Sequence, residues 1–166
     1  MTPQNQNCEL IPYLSISGAE DAINFYCQVF GVESFVRLDM PDGRVMHCEF
    51  RIGNARFFLS DELLEHGGTP SPKKTGTTTV AMHLYVDDCS ETVNSMQQFG
   101  SEILMKPTDM FWGERFARVR DPFGHEWGIA TVIREMEPNE IESAARKMFE
   151  EMPQDDKPRS TKSNNS

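Results

Sequence analysis

One short segment carries three side chains able to hold charge or move a proton together. In Val45 to Ile52, His47, Glu49 and Arg51 stand at alternate positions, and an extended strand sends alternate side chains to one face. Met46, Cys48 and Phe50 then take the other face and are expected against a helix. An imidazole beside a carboxylate among apolar walls suits general acid and base work, because desolvation makes the carboxylate a stronger proton acceptor. The same alternation puts His83 and Tyr85 on one face of a second segment, Ala81 to Val86. Three readings are open. His47 or Glu49 acts as a catalytic base; His47, Glu49 and His83 converge as a two-histidine, one-carboxylate metal set; or these groups satisfy one another and Arg51, as buried polar groups must. Tyr13, His83, Tyr85, Trp112 and Arg115 are the candidate ligand contacts. Trp112 would contribute by stacking and Arg115 by a charge-assisted hydrogen bond to an anion, or both bracket a loop to a strand.

The elements that must position these groups are duplicated. Ile11 to Tyr26 followed by Phe30-Gly31 corresponds to Ala81 to Asn94 followed by Phe99-Gly100, at an offset of about 70 residues. Each half opens with a strand pattern and then an acceptor residue three positions before a glutamate, Ser17 with Glu20 and Asp88 with Glu91, as in a capping box. Ala19, Ala22, Ile23, Tyr26 and Phe30 form one helix face, and Gly31 and Gly100 suit left-handed helix ends. Three short strand patterns follow in each half: Ser34 to Leu38, Val45 to Ile52 and Ala55 to Leu59, then Glu102 to Met105, Arg115 to Arg120 and Glu126 to Val132. The fold class is therefore α+β: two tandem βαβββ modules, residues 8–62 and 79–133, curling their sheets around a cavity. Residues 63–78, rich in Gly, Pro, Lys and Thr, read as an exposed mobile linker. A last helix lies within 134–152, with Pro138 in its first turn and Ile141, Ala145, Met148 and Met152 on one stripe, docking on its own core or a second subunit. The polar tail, 153–166, is expected to be disordered. Asp121-Pro122-Phe123-Gly124 reads as an ordinary turn, His125 as solvated and Trp127 as packed on a helix.

The chain has 166 residues, 16 Lys and Arg against 26 Asp and Glu, and a net charge of -10. That balance argues against a nucleic-acid partner, which requires clustered cations. No apolar run reaches the ~20 residues of a membrane span, and the first residues lack a signal-peptide pattern, so a cytoplasmic protein is expected. Cys8, Cys27, Cys48 and Cys89 show neither a zinc nor a redox spacing and read as free thiols. No Gly-rich nucleotide loop follows a strand.

The order of elements from about Cys8 to Ile133 resembles the vicinal oxygen chelate superfamily, which contains glyoxalase I, extradiol dioxygenases and bleomycin-resistance proteins. Met40 to His47, Phe111 to Arg115, Asp121 to Trp127 and Glu137 to Ile141 are similar to segments of its PhnB-like branch. The resemblance implies facing sheets around a small-molecule cavity, and a homodimer that pairs or exchanges modules. It also implies four metal-ligand positions, which fall at or near Ile11, Phe58, Ala81 and Gly128. None of these side chains can ligate a metal, so no cofactor is expected, with a divalent metal on His47, Glu49 and His83 as the alternative. The functions implied are a lyase or isomerase acting on a polar metabolite, a drug-sequestering protein, or a metal-dependent glyoxalase or dioxygenase.

Overall fold

The computed structural model describes residues 8–32 and 34–153; the tail past Pro153, with its expected disorder, lies outside them. The first module runs β1 (Tyr13–Ile16), α1 (Ala19–Phe30), β2 (Ser34–Asp39), β3 (Val45–Ile52) and β4 (Ala55–Asp61). A 3-10 turn (Leu64–His66) and a short α2 (Pro72–Thr75) lead to the second module: β5 (Ala81–Tyr85), α3 (Cys89–Gln98), β6 (Glu102–Asp109), β7 (Glu114–Arg120) and β8 (Glu126–Val132). The chain then enters α4 (Pro138–Glu151). The sheets have the orders β1-β4-β3-β2 and β5-β8-β7-β6, with the first strand of each module parallel to the last and the other pairs antiparallel. This is the expected α+β architecture of two βαβββ units. No helix among the described residues is long and apolar enough to cross a membrane.

Each helix is entered through its own sheet. Ser17 does not cap α1; the N-cap is Gly18, and Asp61 at the end of β4 accepts from the Gly18 and Ala19 N–H groups at 3.3 and 3.1 Å. Glu20 pairs with Arg37 rather than closing a capping box. In the second module Asp88 does cap α3 through the Glu91 N–H at 2.9 Å. Thr131, at the place in β8 that corresponds to Asp61, accepts from the Cys89 N–H at 2.8 Å and donates to the Val86 carbonyl at 2.9 Å. A side-chain oxygen from the last strand thus meets otherwise unsatisfied helix donors in both halves.

Two further departures from the sequence expectation bear on the site. Leu38 faces His47 and Asp39 faces Val45, so Met46 is an extra residue, a β-bulge that resets the alternation,. Val45 is consequently buried and Met46 exposed, whereas Cys48 and Phe50 enter the core as expected. The linker is also tied down. Ser71 is fully buried, its N–H donates to Glu62 at 2.9 Å, and its hydroxyl caps α2. A Cβ on Gly124 would come within 2.9 Å of Pro72, so the glycine is what lets α2 lie on the Asp121–Gly124 turn. In α4, Glu137 and Glu140 form a capping box, and the stripe of Ile141, Ala145, Met148 and Met152 is half-buried, with no residue of the helix fully covered.

One core spans both modules. Tyr26 of α1 is fully buried, with ring centroids 5.3 Å from Phe57 in β4 and 5.7 Å from Trp127 in β8. Its hydroxyl donates to the Asp121 carboxylate at 2.7 Å, and the Trp127 indole N–H donates to the same oxygen at 2.9 Å. The other Asp121 oxygen accepts from the N–H groups of Phe123 and His125, each at 2.9 Å. A buried carboxylate is tolerable when its lone pairs are met in this way. Asp121→Asn leaves a donor facing donors and should destabilise the chain by about 3 kcal/mol, against about 1 kcal/mol for Tyr26→Phe, read from urea unfolding.

His125, expected in solvent, is buried, and its Nε2 donates to the Ser15 carbonyl of β1 at 3.3 Å. Burial depresses its proton affinity below the ordinary value of 6.5, and the Asp121 charge opposes this only in part. The unfolded chain therefore binds a proton more readily than the folded one. The stability this contributes is complete above the ordinary value and is lost as pH falls through the lower folded value. Denaturation midpoints should drop more between about pH 7.5 and about pH 5 in the native chain than in His125→Gln.

Candidate functional site

The outer face of the first sheet assembles its candidate residues from register. Tyr13 lies beside Phe58, and Phe58 beside Glu49, across β1, β4 and β3. His47 Nδ1 is 2.9 Å from the Tyr13 hydroxyl, and its Nε2 is 3.3 Å from Glu49 Oε1. A carboxylate only accepts, so Nε2 carries the imidazole hydrogen and Nδ1 accepts from Tyr13. Phe58 forms the floor, its ring centroid 5.0 Å from His47 and 5.9 Å from Tyr13. His47 and Glu49 keep only 22% and 19% of their side-chain surface, whereas Tyr13 is 52% exposed. The outcome is a line of three groups, Tyr13 to His47 to Glu49, running from solvent into a half-buried carboxylate.

The second sheet builds a different face. His83 lies beside Gly128 in the parallel register of β5 and β8, and its ring stacks on Phe116 at 5.6 Å, 9° from parallel. Gly128 makes this possible, because a Cβ there would stand 2.8 Å from Phe116 and 3.2 Å from His83. Tyr85, with its ring 4.9 Å from that of His83, donates to Glu114 at 2.6 Å. Trp112 donates from its indole N–H to the other Glu114 oxygen at 2.7 Å. The hydrogen bond that Tyr85 donates to Glu114, with some burial, pushes the Tyr85 hydroxyl pKa up. Gly113, at φ 89 and with its missing Cβ only 2.2 Å from the Arg134 carbonyl, closes the turn that brings Trp112 and Glu114 together.

Of the expected contacts, Tyr13, His47 and Glu49 meet in one cluster, and His83, Tyr85 and Trp112 belong to the other. Arg115 belongs to neither. It alternates with Phe116, registers with Thr131 on the helix side of β7, and is held by Asp109 at 2.6 and 3.1 Å. No hydrogen bond, ion pair or ring contact among the described residues joins the two clusters, and both are open, with Tyr85 58% exposed. Nor do any three His, Cys, Asp or Glu side chains among the described residues converge as a metal-binding group, so His83 does not join His47 and Glu49 within the chain. The implied ligand positions are Ile11, Phe58, Ala81 and Gly128; the parallel register instead sets Tyr13 beside Phe58 and His83 beside Gly128, so His83 is the one imidazole in these two pairs. Glu114 and Phe116, which the sequence reading passed over, alternate with Arg118 and Arg120 along β7 and could have been found from that period,.

Two duplicated units, each a helix packed on one side of a four-stranded sheet whose other face is open, define a glyoxalase-like protein. The chain belongs to the glyoxalase, bleomycin resistance protein and dioxygenase superfamily, whose profile matches residues 13–129. An uncharacterized protein of Mycobacterium tuberculosis is 33% identical over 137 residues, 81% of each chain. The solved structure of a PhnB protein from Bacillus cereus aligns with TM-score 0.58 and 21% identity, over 75% of this chain and 99% of that one. TnmS3, an antibiotic binding protein from Streptomyces, aligns with TM-score 0.54 and 19% identity, over 76% and 98%.

Gly128→Ala should separate His83 from Phe116. The His83 ring protons, shielded by the stacked phenyl, should move downfield in NMR spectra while the His47 signals stay in place.

Proposed function

We propose that the chain binds a small polar metabolite on the first sheet's outer face and transfers a proton through Tyr13, His47 and Glu49, as a lyase or isomerase does. The observation that carries this reading is the ordered line of hydrogen bonds from Tyr13 to His47 to Glu49. As the Tyr13 oxygen takes a proton from the ligand, its own hydrogen passes to His47 Nδ1, and the Glu49 carboxylate stabilises the imidazolium. The reverse sequence returns the proton to another atom of the ligand. Trp112, Tyr85 and His83 supply an aromatic wall.

We propose further that a cytoplasmic homodimer brings the second-sheet face of one copy opposite the first-sheet face of the other. Support comes from the openness and separation of the two faces within one chain. A binding-only reading is favoured by the aromatic face around Glu114 and by the likeness in fold to an antibiotic binding protein.

Candidate hydroxy and keto acids incubated in deuterated water separate the readings. The native chain should exchange a carbon-bound hydrogen, and Tyr13→Phe and Glu49→Gln should each slow exchange by about 10²- to 10⁴-fold with unchanged melting temperature. Retention of a compound without exchange favours sequestration. Variants that alter neither exchange nor affinity defeat the site assignment.

A further inference from the structure

A pair of arginines on the first sheet's outer face is not used by the proton line. Arg51 of β3 and Arg56 of β4 are direct cross-strand partners, two pairs along from Glu49 and Phe58 and so on the same face. The Arg56 guanidinium is 5.9 Å from the Phe58 ring centroid. It is gripped at two points by the carboxylate of Glu9, which precedes β1: Nε donates to Oε1 at 3.0 Å and Nη2 donates to Oε2. The bond to Arg56, reinforced by its charge and that of Arg51, holds the Glu9 carboxyl below the usual carboxylate range.

Arg56 also stands at the wall of a pocket of about 230 Å³ where the two modules meet, with Pro12, Ile52, Met82, Leu84 and His83 around it. The pocket surface is mostly apolar. A forked cation beside a small apolar recess fits an anion with an apolar body, the oxyanion taking both guanidinium nitrogens and the body displacing water. The chain is strongly acidic as a whole, so two neighbouring arginines here select for negative charge against the general field.

We propose that Arg56, backed by Arg51, and this seam pocket bind a small anion of the carboxylate or phosphate-ester class, and that Glu9 is a tethered carboxylate the ligand displaces. The site gives the proposed proton-transfer face its substrate class and rests on that reading for its biological meaning. Its binding is read at Arg56 and so stands or falls apart from chemistry at Tyr13, His47 and Glu49.

The test titrates phenylacetate, phenyl phosphate and the neutral phenylacetamide into the isotope-labelled full chain. Side-chain signals of Arg56 and Met82 are followed in the native protein, Glu9→Gln, Arg56→Lys and the control Glu20→Gln, which loses a different acid–arginine pair. Phenylacetate or phenyl phosphate should shift both signals, and whichever binds tighter identifies the oxyanion. Glu9→Gln should bind that anion about two- to fivefold tighter, the gain expected when an exposed ion pair no longer competes. Arg56→Lys should weaken binding, Glu20→Gln should leave it unchanged, and the amide should shift neither signal. Equal affinity in Glu9→Gln and the native chain, equal binding of amide and acid, or no anion binding by Glu9→Gln overturns the proposal.

Discussion

The buried Asp121 carboxylate is the constraint from which the arrangement of the two modules follows. It lies in the turn between β7 and β8, and its partners come from both halves: Tyr26 from α1 of the first, and Trp127 and two backbone amides from the second. Dispersion and apolar burial would let α1 slide over the second sheet at little cost, because ring contacts are only weakly directional. Hydrogen bonds to a fixed charge do not permit sliding. Tyr26 therefore sets the position of Phe57 relative to Trp127, and with it the distance between the strands that carry Phe58 and Gly128 on their outer faces.

Much of this was legible in the sequence, and the missing parts share a cause. The repeat, the order of strands and helices, and the end of α1 at Gly31 all follow from local periodicity and backbone preference. Local reasoning failed where a distant residue supplied the partner. The helix α1 is served by Asp61, some forty positions away, and not by Ser17. His125 looked solvated because a turn usually is, yet Ser15 of the other module covers it. The linker looked mobile by composition, and Ser71 and Pro72 are nevertheless packed.

The candidate site shows the same division. Strand alternation gave the shared face of His47 and Glu49 and that of His83 and Tyr85, and cross-strand register brought Tyr13, already a candidate ligand contact, to the first of these pairs. Alternation counted from the wrong end loses track at a bulge, which is why Met46 was assigned inward. Arg115 was grouped with Trp112 by nearness in sequence, although adjacent strand residues point to opposite faces,. A partner such as Glu9 is reached only through three-dimensional contact.

The packed linker has a kinetic meaning. With Ser71 anchored and Pro72 seated on the Asp121–Gly124 turn, the leash between the duplicated halves is far shorter than its residue count. A short leash raises the effective concentration of one half around the other. Docking of the two halves inside a single polypeptide is thereby favoured over recruitment of the matching half from a neighbouring molecule.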